Sequence, residues 1–186
     1  MTAIAAATGF SRDAWDEFGD RRREPDWLAA RRRAAYDAYE DLLDRPLDAE
    51  EFKRVDLRAF RPEQYRLATG ESATAGETIG TLMQGRAEFG GAVIHVDGAA
   101  VQSSLSPELA KRGVLFGDLS ALLASHRAVL EPHLMSRGMV PDADRFAAWH
   151  AAFWTGGTVL YVPRNVAVDV PLYSLISLHT DGVADF

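Results

Sequence analysis

RFAAWHAAFWTGGTVLYVPRNVAVDVPLYSLISL, residues Arg145 to Leu178, decides the fold, because a helical pattern ends there at a glycine pair and strand patterns follow. Phe146, Trp149 and Phe153 recur at helical spacing with alanines between them, which predicts an aromatic stripe facing a core. Pro141 and Asp142 mark the expected start, with Asp142 accepting from the first-turn amides. Gly156 and Gly157 mark the stop, one of them in the left-handed conformation of a helix cap. A phosphate-cradling Gly-rich loop would follow a strand and open a helix, and here the order is reversed.

After the pair, Thr158 to Val162, Val166 to Val170 and Leu172 to Leu178 read as three strands of roughly five to seven residues. Pro163 and Pro171 belong at their corners, since proline cannot donate to a ladder, and Arg164-Asn165 makes a tight turn. Such a series fits the first coils of a solenoid or the hairpins of a jelly roll.

Working outward, 186 residues with 47% hydrophobic and 25% charged content are ordinary globular material. A net charge of -7 argues against nucleic acid or an anionic membrane as the main partner. There is no cysteine, hence neither a disulfide framework nor a thiolate metal site, which suits the cytoplasm. No export signal and no apolar run near the ~18 residues of a transmembrane helix is visible.

Upstream, Ser11 caps a short helix carrying Trp15 and Phe18, and a second amphipathic helix runs from Pro25 through Leu28, Ala35 and Leu42 to Pro46. The arginines at 21–23 and 31–33 are interspersed with acids and read as a solvated, salt-bridged face. Phe52 to Phe60 reads as a short extended segment, and residues 67–91 as a flexible loop rich in small residues. Val93 to Gln102 is a hairpin turning at Asp97-Gly98. A helical turn at Pro107 to Arg112 ends at Gly113, and Asp118 or Ser120 opens a helix reaching about residue 131.

No catalytic constellation emerges. His95, His126, His133, His150 and His179 form no His-x-His or His-Glu-x-x-His motif, and of these only His179 is placed on the strand run. Asp142, Asp144, Glu50 and Glu51 are explained by helix starts, and no Gly-x-Ser-x-Gly elbow is present. The residues assign no catalytic, cofactor-binding or metal position.

Four stretches carry a family resemblance. WHAAFWTGGTVLYVPRNVAVDVPLYSLISL (Trp149 to Leu178) resembles the SufB/SufD family of iron–sulfur cluster assembly scaffolds, where a short helix leads into a Tyr-Val-Pro-x-x-Val-x-Val-x-x-Pro strand pair. The positions here are Tyr161, Val162, Pro163, Val166, Val168 and Pro171. EPDWLAARRRAAYDAYEDLLDRPL (Glu24 to Leu47) is similar to the family's early helix, FKRVDL (Phe52 to Leu57) to the motif after it, and RGVLFGDLSALLASH (Arg112 to His126) to a later helix entry. The long N-terminal helix and the absence of cysteine lean towards the SufD branch, and Phe-Trp-x-Gly-Gly towards SufB.

The resemblance implies an α+β chain: an N-terminal helical segment (1–66), a flexible loop (67–91), a small α/β segment (92–157) and the first coils of a right-handed parallel β-helix (158–186), the N-terminal portion of a longer protein. It implies a non-catalytic scaffold, with the cluster assembled by the full complex and no cofactor in this portion. The implied partners are a SufB/SufD paralogue and the SufC ATPase, met through regions absent here. No functional residue carries over, and an open β edge after residue 157 is expected to favour self-association.

Overall fold

A computed structural model of the chain describes residues 9–70 and 89–186. The described helices are α1 (Arg12–Arg21), α2 (Asp26–Leu42), α3 (Pro107–Lys111), α4 (Leu119–Ser125), α5 (Arg127–Leu130) and α6 (Arg145–Phe153). The strands are β1 (Arg66–Leu67), β2 (Gly91–Val96), β3 (Ala99–Leu105), β4 (Leu115–Asp118), β5 (Thr158–Tyr161), β6 (Leu172–Ser177) and β7 (Val183–Ala184). They fall into two compact units that interleave along the sequence. One holds the chain up to Leu67, Pro132–Trp154 and Phe186; the other holds Ala68–Glu131 and Thr155–Asp185.

The first unit is helical, with α6 laid against α2. The aromatic stripe of α6 forms its centre: Phe153 is fully buried, with the rings of Phe10, Trp15, Tyr36 and Phe18 at centroid distances of 5.3, 5.5, 5.8 and 5.8 Å. Ala148, Ala151 and Ala152 are buried beside it and permit the close approach of α2. Ser11 caps α1 by accepting from the Ala14 amide, as expected.

The start of α6 lies later than the sequence implied. Asp144, not Asp142, is the cap, its Oδ1 accepting from Phe146 N at 2.7 Å and Ala147 N at 3.0 Å. The helix ends because Trp154 turns extended (φ −54, ψ 133) and buries its indole; neither Gly156 nor Gly157 has positive φ. Phe52 to Phe60 is a run of turns rather than an extended segment, since Asp48 Oδ1 folds the chain back on the amides of Glu50 and Glu51.

The second unit is built on β2. It lies between β3 (antiparallel) and β6 (parallel), in register from Gly91 opposite Leu172 to Val96 opposite Ser177. All six β2 residues are buried, as befits a strand paired on both edges and covered on both faces. Asp97 (φ 46) and Gly98 (φ 80) form the expected hairpin turn with both central residues left-handed. A separate antiparallel pair joins β4 and β5, from Leu115 opposite Tyr161 to Asp118 opposite Thr158.

Three expectations change here. The helix from Asp118 is broken at His126 (φ −128, ψ 34) into α4, α5 and a 3-10 turn, where the Ser125 hydroxyl donates back to Ala121 O at 2.9 Å and bends the helix. Val166 to Val170 is in no ladder among the described strands. Beyond the Leu115–Tyr161 pair the segment leading into β4 turns at Gly113 (φ 82), whose place for a Cβ is 3.2 Å from Pro163, so among the described residues the chain after Tyr161 has no strand to meet. The expected loop at 67–91 falls mostly on residues 71–88, outside the described ones.

Candidate interaction surfaces

In the helical unit the arginine run is not all solvated. Arg31 and Arg33 are exposed, but Arg32 shares a helix face with Leu28, Ala35 and Tyr36 and is 3% exposed. Its guanidinium makes a two-point bond to Glu24 (Nε to Oε2 2.8 Å, Nη2 to Oε1 2.9 Å) and donates from Nη1 to Ala152 O at 2.9 Å. It also stacks over the Trp154 ring at 3.8 Å, and Arg22 bonds the same Glu24 at 2.7 Å. Burial pulls the Arg32 guanidinium down to about 10, so it remains a cation at neutral pH, matched by Glu24.

Beside this cluster runs a groove of about 440 Å³, lined by Leu28, Arg31, Ala35, Met135, Pro141 and Trp154 among others. Its lip includes Met135, a non-glycine residue at φ 46. Arg32 borders it with its guanidinium bonded to Glu24 and to Ala152 O, and Arg31 and Asp142 stand among the otherwise apolar side chains of the lining.

In the sheet unit His95 sits inside β2, in the first strand of the expected hairpin, whereas His179, placed by the sequence on the strand run after residue 157, lies just past β6. His95 Nε2 donates to Asp118 Oδ1 at 3.1 Å, while Asp118 Oδ2 accepts from Ala121 N at 2.9 Å and so caps α4. Burial pushes the Asp118 carboxyl up, but the bonds from His95 and Ala121 outweigh it and hold the group below its ordinary value. His95 Nδ1 is buried without a hydrogen-bond partner, and a Cβ on Gly156 would stand 3.3 Å from the ring. The dyad therefore has no nucleophile on its far nitrogen and no room beside the ring. It ties β2 to β4 and to the start of α4.

Asp97 performs a comparable task at the hairpin turn. Its Oδ1 accepts from the amides of His179 (2.7 Å) and Thr180 (3.2 Å), and its Oδ2 from the Thr180 hydroxyl (2.7 Å). The Thr180 hydroxyl first, then the His179 amide, hold this carboxyl below its usual range. Of the remaining histidines, His126 meets the Ser125 hydroxyl, His133 is exposed, and burial with the nearby Arg32 charge depresses His150. Among the described residues no three of His, Cys, Asp or Glu assemble as metal ligands. None of their helices is long and apolar enough to cross a membrane.

The sequence signal for the Arg32 cluster was its spacing from Leu28 and Ala35, overlooked because it sits in a charged run. For His95 the signal was its place in the apolar run GAVIHV. What the geometry offers is a set of surfaces: the groove on the helical unit, and on the sheet unit strands paired on one side only.

A family model described as SufBD protein N-terminal region matches residues 21–173, from before α2 into β6. The iron–sulfur cluster assembly protein SufD of Bacillus subtilis is 28% identical over 172 residues, 91% of this chain and 39% of that protein. An iron–sulfur cluster assembly SufBD family protein of Staphylococcus haemolyticus is 30% identical over 97 residues, 52% of this chain and 20% of its own length. A Staphylococcus aureus relative is 29% identical over the same extent. This chain thus spans two-fifths or less of the relatives it matches, and no solved structure matches it. The matched residues take in the α2–α6 pairing, the β2 hairpin, the β4 entry into α4 and the strand β5, and on that extent the chain belongs to the SufBD family, in that family's N-terminal region.

Proposed function

We propose that this chain serves iron–sulfur cluster assembly in the cytoplasm as a non-catalytic scaffold, the N-terminal portion of a SufB/SufD-type subunit. The observation that carries this reading is the family match over residues 21–173. The buried dyad and the saturated Arg32 cluster support a structural role for the polar groups present. The cluster is then cargo, built by the complete assembly. A chain without cysteine offers no thiolate to hold it. The partners in this reading are a second SufB/SufD-type subunit and a SufC-type ATPase.

We infer, too, that β5, β6 and β7 begin a right-handed parallel β-helix. Supporting this, β6 runs parallel to β2, although β5 meets β4 in an antiparallel pair. Ala68 N donates to Ala184 O of β7 at 2.9 Å, so each of three consecutive strands meets an earlier part of the chain. Turns at Pro163 to Val166 and at Gly182 (φ 68) form the corners.

The test is replacement of the matching region of a bacterial SufD by residues 21–173 in a strain that depends on that system. Restored activity of iron–sulfur enzymes together with co-purification of the ATPase is expected. A chimera that folds and accumulates normally, yet neither recruits the ATPase nor restores those enzymes, would overturn the reading. The isolated chain should show no saturable ATP turnover, and no stoichiometric cluster absorbance after anaerobic reconstitution and desalting.

A further inference from the structure

The dipeptide Asp-Gly occurs twice in the chain, at Asp97-Gly98 and at Asp181-Gly182, both in the sheet unit. The two are held in opposite ways. Asp97 is 6% exposed, its carboxylate accepts three bonds from His179 and Thr180, and a Cβ on Gly98 would meet Ala68 and Thr155 at 3.1 Å. Asp181 is exposed, and among the described residues no hydrogen bond or ion pair reaches its carboxylate or the amide of Gly182. Gly182 stands at φ 68 with nothing within 4 Å of the place for a Cβ.

An aspartate followed by glycine closes on itself readily, because no side chain shields the next amide. The amide nitrogen attacks the carboxyl carbon Cγ; an N–Cγ bond forms, and the carboxyl hydroxyl leaves with the amide proton as water. Water then opens the five-membered imide. Opening at the N–Cγ bond restores aspartate. Opening between that nitrogen and the aspartate main-chain carbonyl carbon leaves isoaspartate, whose main chain runs through Cβ and Cγ. Solvent is the only co-reactant, and the product is an isomer of the starting chain. Attack requires a carboxyl that is neutral and free to turn, and the bonds at Asp97 keep its group ionised and fixed.

We propose that Asp181 is a site of spontaneous isomerisation to isoaspartate, and that this change breaks the bond from Ala68 N to Ala184 O. The turn is pinned on both sides. Before it, Thr180 is tied to Asp97 through its amide and its hydroxyl. After it, Val183 is buried, Ala184 O accepts from Ala68 N at 2.9 Å, and Asp185 accepts from the Thr155 hydroxyl. Asp181 and Gly182 alone span these anchors, so the extra main-chain carbon of isoaspartate has no slack to take it up. The inference concerns one turn and its anchors, and does not depend on the assembly role or on any further strand.

The test uses the whole chain, warmed for weeks at mildly acidic to neutral pH and digested with trypsin at intervals. Asp181 falls in the peptide 165–186 and Asp97 in the peptide 87–111. In the folded chain a second, isobaric form of peptide 165–186, methylated from S-adenosylmethionine by isoaspartyl methyltransferase, should accumulate at least about tenfold faster than one of peptide 87–111. In urea the two rates should converge, since the fold alone separates them. Asp181→Glu, which would need a slower six-membered ring, should abolish the new form. In the isomerised chain the Ala68 amide should exchange at least about tenfold faster, with the β2 amides unchanged because the sheet stays folded. Equal rates in the folded chain, a new form that persists in Asp181→Glu, or unchanged Ala68 exchange in the isomerised chain overturns the proposal.

Discussion

Arg32→Ala is the perturbation with the largest expected effect on the helical unit. It removes a guanidinium that is 3% exposed, together with its two-point bond to Glu24, its bond to Ala152 O and its stack on Trp154. Truncating one member of a buried ion pair costs about 3–5 kcal/mol, mostly from the stranded partner. Here the Glu24 side chain is 12% exposed and keeps Arg22 at 2.7 Å, which places the loss near the lower end, about 3 kcal/mol. For a chain of this size that corresponds to a fall in Tm of roughly 6–12 °C. All four tryptophans, Trp15, Trp27, Trp149 and Trp154, lie in this unit, so urea denaturation followed by fluorescence reads it directly. Arg32→Lys keeps the charge but loses the planar fork and most of the stack, and should recover only part of the loss. Arg33→Ala, at an exposed neighbour, should stay within about 0.5 kcal/mol of the parent. An Arg32→Ala loss below about 1 kcal/mol, or full rescue by lysine, would refute the view that the fork and the buried carboxylate hold α2 on α6.

Gly156→Ala places a Cβ 3.3 Å from both Gly98 O and the His95 ring, so it should destabilise by about 1–2 kcal/mol, measured by hydrogen exchange of β2 amides; unchanged protection would show that the dyad has slack. Asp97→Ala strands two amides and a hydroxyl and should cost about 1–3 kcal/mol at pH 7, read by chemical denaturation. Because the folded Asp97 carboxyl is depressed, its stabilisation is present above the ordinary value of 3.8 and is lost as pH falls through the folded value, so the variant and the parent should converge in acid. His150 is depressed by burial and by Arg32, so the unfolded chain binds its proton more readily; stability should fall as pH drops through about 6.5, and His150→Gln should flatten that slope.

Local chemistry was legible in the sequence wherever neighbours alone decide it. Ser11 and Asp118 cap helices, and Asp97-Gly98 turns a hairpin, through atoms within three residues of each position. Arg32 was not legible, because its burial rests on Glu24 in the loop before α2 and on a carbonyl 120 residues away. Gly156 was misjudged for the same reason. It was read as a local cap, whereas its missing Cβ makes room for His95 and Gly98, neither of them near in sequence. Of the strands, β5 and β6 form where the period-two pattern places them, and Val166 to Val170 does not, although its alternation is as regular. Alternation records an extended chain with one buried face; a ladder also needs a partner, and β4 ends before it can offer one.

The same dependence on partners explains why His95 and Asp97 are tolerated in the most buried strand region of the chain. A strand covered on both faces and paired on both edges leaves polar side chains no water, and each must find its bond within the fold or incur the desolvation of an unmet group. His95 finds Asp118, and Asp97 finds the Thr180 hydroxyl with two amides. Both bonds reach other segments of the sheet unit, Asp118 at the end of β4 and Thr180 just past β6. The parallel pairing of β2 with β6 therefore brings Thr180 to Asp97 as its register completes, from Gly91 opposite Leu172 to Val96 opposite Ser177. A slip of two residues along β6 would keep every side chain on its own face and yet carry Thr180 away from Asp97. Asp97 thus selects one register from several that hydrophobic burial alone would accept.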